Sequence, residues 1–226
     1  MVRKEPQRKP GEPARILIVD DHPLIRQGLI LLLRTQRGLE VCGEADDAMS
    51  AMSAAESLEP DLVILDLSLG YTNGIDLIKD LRSRFPQLRI LVLSMHDEAF
   101  YAERALRAGA GGYVMKGGPL EDVVLAVEKV LEGKVFVSEK MASQLMNRLV
   151  SDKSTQRDCS VAALSDRELR VMEMIGEGLG TGQIARNLNL SVKTIETHRA
   201  RIKDKLRLKD ATALRQYAIQ WLRTRY

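Results

Sequence analysis

The sequence predicts an α/β doubly wound domain with five parallel strands, followed by a small all-α domain of four helices. Three observations predict it. Short apolar runs rich in Val, Ile and Leu recur through the first half of the chain without alternating with polar residues, as strands buried on both faces do. Stretches of helical spacing separate them, and that alternation is the βα pattern of a parallel sheet. Beyond residue 164 the apolar runs stop and helical spacing takes over.

The run Asp61-Leu62-Val63-Ile64-Leu65-Asp66 is the centre of the pattern. Four consecutive apolar residues end in a carboxylate, and open α/β sheets carry their chemistry at the carboxyl ends of strands. Before it, Arg15-Ile16-Leu17-Ile18-Val19 is a first strand that ends in Asp20-Asp21. Pro23 opens a helix, where a missing N–H costs nothing, with Leu24, Ile25, Leu29, Leu32 and Leu33 expected inward. Leu39 to Glu44 is a short strand, and Ala45 to Leu58 reads as a helix with Ala and Met inward. After Asp66 comes a loop, Ser68–Asn73, containing Gly70. Gly74 leads into a helix with Ile75, Ile78 and Leu81 inward, stopped by Pro86. Arg89 to Ser94 is the fourth strand. Glu98 to Ala108 is a helix closed by Gly109. Gly112 to Met115 is a fifth strand ending at Lys116, and Pro119 opens a helix with Val123, Val124, Val127 and Val130 inward.

Composition sets bounds. A chain of 226 residues suits one large domain or two ordinary ones, and 45% hydrophobic residues suffice for a real core. No apolar run reaches the roughly 20 residues needed to span a bilayer. Residues 1–13 are basic and proline-rich without an apolar segment, which fits a disordered tail and not a secretory signal. Cys42 and Cys159 stand far apart without metal-ligand neighbours, so free thiols and a cytoplasmic location are expected. Charge is divided unevenly. Residues 14–133 hold 12 basic against 19 acidic side chains, a net of −7, and residues 164–226 hold 13 against 7, a net of +6. The basic part is the candidate for nucleic acid, although charge alone favours a plain solvated basic face.

Wound in the order 2-1-3-4-5 (flavodoxin-like), the sheet would bring Asp20, Asp21, Asp66, Ser94 and Lys116 into one crevice. Three neighbouring carboxylates repel one another, and a buried cluster of that kind raises pKa values or demands a cation. Lys116 supplies one positive charge, and a hard oxygen donor set suits Mg²⁺ for the rest. His22 and His96 are not spaced with cysteines for zinc. Mg²⁺ on a carboxylate cluster suits phosphoryl transfer, in which an Asp can be the nucleophile. Each residue alone has a plainer reading: a helix cap, a turn residue, a solvated lysine. Their joint placement at the ends of several strands favours the site.

On these residues, 14–133 resemble a response-regulator receiver domain. The resemblance implies that Asp66 is the phosphoacceptor. It implies that Asp20 and Asp21 hold Mg²⁺ together with Asp66 and the backbone carbonyl of Ser68. It makes Ser94 the switch hydroxyl, Lys116 the phosphate-pairing lysine and Tyr113 the aromatic that moves inward on activation. Two departures stand out. Gly70 occupies a position where the family often has Pro, which is expected to loosen the loop carrying Ser68. Gly117-Gly118 is expected to make the loop after Lys116 more mobile.

Residues 134–163 read as a linker helix, Glu139–Val150, followed by a flexible polar tether at 151–160. Ser165 and Glu168 form a capping box with Leu164 and Leu169 as its hydrophobic staple. Gly176, Gly178, Gly180 and Gly182 follow, but no strand precedes them, so they are helix-end and turn glycines and not a dinucleotide loop. Thr181 to Leu188 and Val192 to Leu206, joined by a tight turn, are a helix-turn-helix. A last helix spans Ala211 to Leu222, with an apolar stripe of Ala211, Leu214, Ala218 and Trp221. At 100° per residue, Ile195, Arg199, Ile202 and Leu206 share the core face of the third helix. Lys193, Glu196, Thr197, Ala200, Arg201 and Asp204 lie opposite.

The run from Ser191 to Leu206 makes residues 164–226 resemble a LuxR-type helix-turn-helix domain, and the whole chain resembles a NarL/FixJ-type response regulator. That implies double-stranded DNA as a partner, with Glu196, Thr197 and Ala200 approaching base edges. The helix projection places Lys193 and Arg201 for phosphates or base edges with Lys203 and Lys205 flanking them, and Thr194 completes the expected DNA-contacting set. The same resemblance also implies a sensor histidine kinase as phosphate source, a homodimer when active, transcription regulation and no membrane partner. Three rivals remain. A haloacid-dehalogenase phosphatase would want a second Asp where Ser68 stands. A receiver could act unphosphorylated through protein contacts. RNA binding is disfavoured by the lack of exposed aromatics for base stacking.

Overall fold

The computed structural model describes residues 12–70, 72–150 and 161–223. The tether at 151–160 and nearly all of the expected N-terminal tail lie outside those residues. The chain divides into two compact units, Met1–Leu145 and Met146–Tyr226.

In the first unit the elements are β1 (Ala14–Val19), α1 (Pro23–Arg34), β2 (Leu39–Ala45), α2 (Ala48–Leu58), β3 (Leu62–Leu65), β4 (Ser68–Leu69), β5 (Thr72–Asn73), α3 (Gly74–Arg84), β6 (Arg89–Ser94), α4 (Glu98–Ala108), β7 (Gly112–Met115) and α5 (Leu120–Leu131). α6 (Glu139–Val150) follows, and the division between the units falls within it. The main sheet runs in the order β2-β1-β3-β6-β7, parallel throughout. This is the expected doubly wound order.

The strands are apolar on both faces because helices cover both. Ile16, Ile18, Leu62, Ile64, Leu91, Leu93 and Val114 pack with Leu29, Ile30 and Leu33 of α1 and with Val123, Ala126, Val127 and Val130 of α5. The alternate strand residues Leu17, Val19, Val63, Leu65, Ile90 and Val92 point the other way and are also buried. At about 25 cal/mol per Å² of apolar surface removed from water, such two-sided burial is the main driving force of the unit.

Several expected details are corrected. Leu24 and Ile25 are exposed, and Ile30 is buried in their place, because residues 29, 30 and 33 form the stripe of α1 that meets the sheet. α2 starts at Ala48, since Ala45 closes β2 and Asp47 caps the helix in a capping box with Ser50. Met49 is exposed and only Ala51 and Ala55 are fully inward. In α5 Ala126 takes the buried place expected of Val124. The Ser68–Asn73 loop contains an antiparallel ladder, β4 against β5, with Ser68 opposite Asn73. Beyond α5, Phe136 makes a parallel bridge to Gly112, its carbonyl accepting from Tyr113 N at 2.8 Å. The segment read as the start of a linker thus extends the sheet at β7. Ser138 then caps α6, accepting from Met141 N and donating to Glu98 of α4.

In the second unit a 3-10 turn, Val161–Ala163, precedes α7 (Asp166–Gly176), α8 (Thr181–Asn187), α9 (Val192–Leu206) and α10 (Ala211–Arg223). The capping box of α7 forms: Ser165 Oγ accepts from Glu168 N, and Glu168 accepts from Ser165 N at 2.8 Å. Both staple residues, Leu164 and Leu169, are buried. Gly176 lets α10 approach, for a Cβ there would lie 2.7 Å from Ala218 O. Ile184, Ala185 and Leu188 of the α8 segment pack inward with Ile195, Ile202 and Leu206 of α9 and with Leu214 and Ala218 of α10. Asn189, at φ 50°, turns the chain from α8 into α9, and Ser191 caps α9 by accepting from Thr194 N.

Candidate functional site

Parallel strands side by side place their carboxyl ends on one rim. Asp20 follows β1, Asp66 follows β3, Ser94 ends β6 and Lys116 follows β7, and the strand order makes these four neighbours. The backbone ladder continues past the strands: Asp66 N donates to Val19 O at 2.8 Å, and Lys116 N donates to Ser94 O at 2.9 Å.

The side chains converge. Lys116 Nζ lies 2.6 Å from Asp66 Oδ2 and 2.7 Å from Asp20 Oδ2, and all three side chains are at most 5% exposed. Burial opposes the charge on Lys116, but hydrogen bonds to Asp20 and Asp66 and their negative charges outweigh it, holding the ammonium above the ordinary lysine range. Asp66 Oδ1 is buried and has no hydrogen-bond partner among the described residues. Asp20, Asp21, His22 and Asp66 each offer a ligand atom, all within 4.8 Å of one another. With three carboxylates, and with Asp21 Oδ1 and Asp66 Oδ1 both buried without a hydrogen-bond partner among the described residues, the donor set fits a hard divalent cation such as Mg²⁺.

His22 is an addition that the sequence reading used only to exclude zinc. Its Nδ1 lies 2.6 Å from Asp21 Oδ1, and its backbone N–H donates to Asp20 Oδ1 at 2.8 Å. Gly70 is a correction. Its positive φ of 52° and its backbone N–H, which donates to Asp21 Oδ2 at 3.1 Å, tie the loop after Asp66 to the acidic pair. Proline could supply neither. The expected loosening is therefore replaced by a new tether.

Ser94 is fully buried, and its Oγ accepts from His96 N at 3.3 Å. Tyr113 lies inside with its hydroxyl donating to His96 O at 2.6 Å. Ser68 turns its hydroxyl to His96 Nε2 at 3.0 Å. His96 stands two residues beyond its strand, and its side-chain contact with Ser68 joins positions 28 apart, which no local sequence pattern reveals.

In the second unit α9 exposes Lys193, Glu196, Thr197, Ala200 and Arg201 on one face. Thr194 is half-buried with its hydroxyl 2.8 Å from Ser191 Oγ, and Thr197 donates to Lys193 O of its own helix. Lys203 is half-buried. Lys205 is half-buried and tied to its own unit: its Nζ lies 2.6 Å from Glu168 Oε2 and donates to Ala163 O. Burial pushes the Glu168 carboxyl up, but the hydrogen bonds from Lys205 and Ser165 outweigh it and hold the group below its usual range. His198 is held low chiefly by burial, with Glu168 opposing and Arg167 and Arg201 reinforcing.

Comparison with known proteins matches the two units to two families. Residues 16–128 match the response regulator receiver domain, and residues 162–218 match the bacterial regulatory proteins of the luxR family. The chain is similar to the oxygen regulatory protein NreC of Staphylococcus epidermidis, with 36% identity over 211 residues covering 91% of this chain and 97% of that protein. NreC of Staphylococcus aureus is 35% identical over the same length. Among solved structures, the RcsB response regulator of Salmonella typhimurium matches with TM-score 0.70 and 28% identity, over 92% of this chain and 98% of that one. RcsB of Salmonella enterica serovar Typhimurium, solved bound to the promoter rprA in the presence of phosphomimetic BeF3−, matches with TM-score 0.66 and 28% identity, over 92% of this chain and 98% of that one. No helix among the described residues is long and apolar enough to cross a membrane. The chain belongs to the NarL/FixJ-type two-component response regulators, joining a receiver domain to a LuxR-type DNA-binding domain that serves transcription regulation.

Proposed function

We propose that Asp66 is the phosphoacceptor of this regulator and that its phosphorylation by a sensor histidine kinase switches DNA binding. The observation that carries the reading is the state of the Asp66 carboxylate. One oxygen is fixed by Lys116, and the other is buried with no partner among the described residues. Asp66 Oδ1 attacks phosphorus, forming the O–P bond as the bond from phosphorus to the donor's nitrogen breaks. Lys116 holds the carboxylate in place and faces the incoming oxygens. Ser94 can leave His96 N and donate its hydroxyl proton to a phosphoryl oxygen. Asp20, Asp21, Asp66 and the Ser68 carbonyl would hold Mg²⁺, which when bound offsets negative charge on the transferred group. Tyr113 is assigned to the same switch.

The proposed domains are the receiver at 14–133, the linker at 134–163 and the DNA-binding domain at 164–226. Exposed Lys193, Glu196, Thr197, Ala200 and Arg201 approach DNA; Thr194 and Lys203 lie at the edge of that surface. The active form is a homodimer acting in the cytoplasm, and the chain turns over no substrate of its own.

The test is incubation with acetyl phosphate and Mg²⁺ followed by intact-mass measurement. Wild type should gain one phosphoryl group sensitive to hydroxylamine, and D66N should gain none. Equal labelling of the two would sink the assignment.

A further inference from the structure

We propose that Arg26 is a positioning residue for the acidic pair, acting on Mg²⁺ binding through the backbone of Asp20. The inference rests on the reading of Asp20, Asp21 and Asp66 as metal ligands, given above. Arg26 stands in the first turn of α1, and its side chain folds back over the turn that joins β1 to α1. Its Nη1 donates to Asp20 O at 2.6 Å, and its Nε donates to Glu44 Oε2 at 3.1 Å. The Arg26 side chain is 16% exposed.

The sheet leaves a place for this guanidinium. Asp20 N donates to Ala45 O at 3.1 Å, which continues the parallel ladder between β1 and β2. In such a ladder the next donor, to Asp20 O, is the amide of Asp47. That amide donates instead to Ser50 Oγ, because the chain has turned into α2. No backbone N–H among the described residues donates to Asp20 O. Arg26 supplies the missing donor, and Glu44, near the end of β2, holds the guanidinium there. A planar group with several N–H donors reaches both acceptors at once, whereas a lysine carries its donors on a single nitrogen.

The consequence is geometric. The carbonyl of Asp20 shares a peptide plane with N and Cα of Asp21, so holding that oxygen holds the Cα from which the Asp21 side chain leaves. Gly70 N holds the far end of the same side chain at Oδ2. Between the two holds, Asp21 Oδ1 is buried without a hydrogen-bond partner among the described residues. Mg²⁺ demands near-octahedral ligands, so a displaced Asp21 binds it less well. Charge acts the other way. A guanidinium this close to the acidic pair repels a divalent cation, and Glu44 offsets part of that repulsion. Position and charge therefore predict opposite signs when Arg26 is removed.

The test is calorimetric titration of Mg²⁺ into full-length wild type, R26A, R26K and E44Q. Melting temperatures taken in EDTA record stability apart from the metal. R26A should bind Mg²⁺ about tenfold more weakly or worse, the usual cost of losing a group that orients a metal ligand, although it has lost a repelling charge. R26K keeps the charge but cannot span both acceptors. It should also be weaker, by several-fold, and it carries the test if R26A does not fold. E44Q keeps the bond to Asp20 O. Its smaller deficit should shrink in high salt, where charge is screened, and the deficit of R26K should persist.

Mg²⁺ affinity in R26A equal to or above wild type overturns the proposal, since charge alone would then describe Arg26. Wild-type affinity in R26K, or a deficit there that salt abolishes, overturns it too. So does a lowered melting temperature with unchanged Mg²⁺ binding, which would leave Arg26 a part in folding only. Absence of Mg²⁺ binding in wild type strikes the metal-site reading itself, and this proposal falls with it.

Discussion

The ammonium of Lys116 sits 2.6 Å from one oxygen of Asp66, and the other oxygen of that carboxylate is buried without a partner among the described residues. The two halves of one carboxylate thus differ: one is fixed by a charge, and the other is buried with its bonding capacity unused among the described residues.

Removing the ammonium leaves two buried carboxylates facing each other. K116A should destabilise the receiver unit by about 3–5 kcal/mol, the usual cost of orphaning a buried charge. Urea unfolding followed by circular dichroism measures it. Added Mg²⁺ should narrow the deficit by supplying positive charge to the same carboxylates. Equal stability of K116A and wild type would show that the three groups do not depend on one another.

Gly70 can be split into its two contributions. G70A keeps the N–H that Asp21 accepts but must hold φ near 52°, at a cost of about 1–2 kcal/mol for an L side chain. G70P loses both the φ and the donor. Mg²⁺ titration by calorimetry should therefore find G70P weaker than G70A by several-fold. Identical affinities in the two variants would mean that the bond to Asp21 does not shape the site.

Basic residues on α9 should behave in two ways. K193A and R201A remove exposed charges, so each should lower affinity across DNA sequences and reduce the salt slope by about 0.9 per phosphate contact. K205A removes a cation engaged by Glu168 and Ala163. It should lower the melting temperature of the DNA-binding unit while leaving the salt slope near wild type. Fluorescence anisotropy at several salt concentrations separates the two classes.

Acidification should weaken the second unit in two stages. His198 and Glu168 are both held below their ordinary values of 6.5 and 4.5. A depressed folded value means the folded state binds fewer protons, so the stability is present above the ordinary value and lost as pH falls through the folded one. The His198 contribution declines below about pH 6.5, and that of Glu168 below about pH 4.5. H198Q should flatten the upper part of the stability–pH curve and E168Q the lower part. A curve unchanged by either substitution would contradict these assignments.

Much of this molecule was legible in its sequence, for definable reasons. β1, β3 and β6 are buried on both faces, so their apolar runs need no alternation to be recognised. The carboxylates stand at strand ends, where parallel order fixes neighbours. The stripe of α1 was not legible, because Leu24, Ile25, Leu29, Ile30 and Leu33 surround much of the helix and only the sheet selects three of them. The β4–β5 ladder has two residues per strand, too few for any period. Lys205 could not be distinguished from Lys193 by type; its partner Glu168 lies 37 positions earlier. His96 likewise owes its position to Ser68, 28 positions away.

The ladder between Ser68 and Asn73 has its own consequence. Asn73 Oδ1 accepts from Ile75 N, and Gly74 N donates to Leu67 O at 3.1 Å, so α3 is joined at its first turn to the peptide next to Asp66. Among the described residues these bonds tie the root of α3 to the backbone beside Asp66. α3 is then a lever about 16 Å long at 1.5 Å per residue, and a small tilt at its root becomes a larger sweep at Arg84.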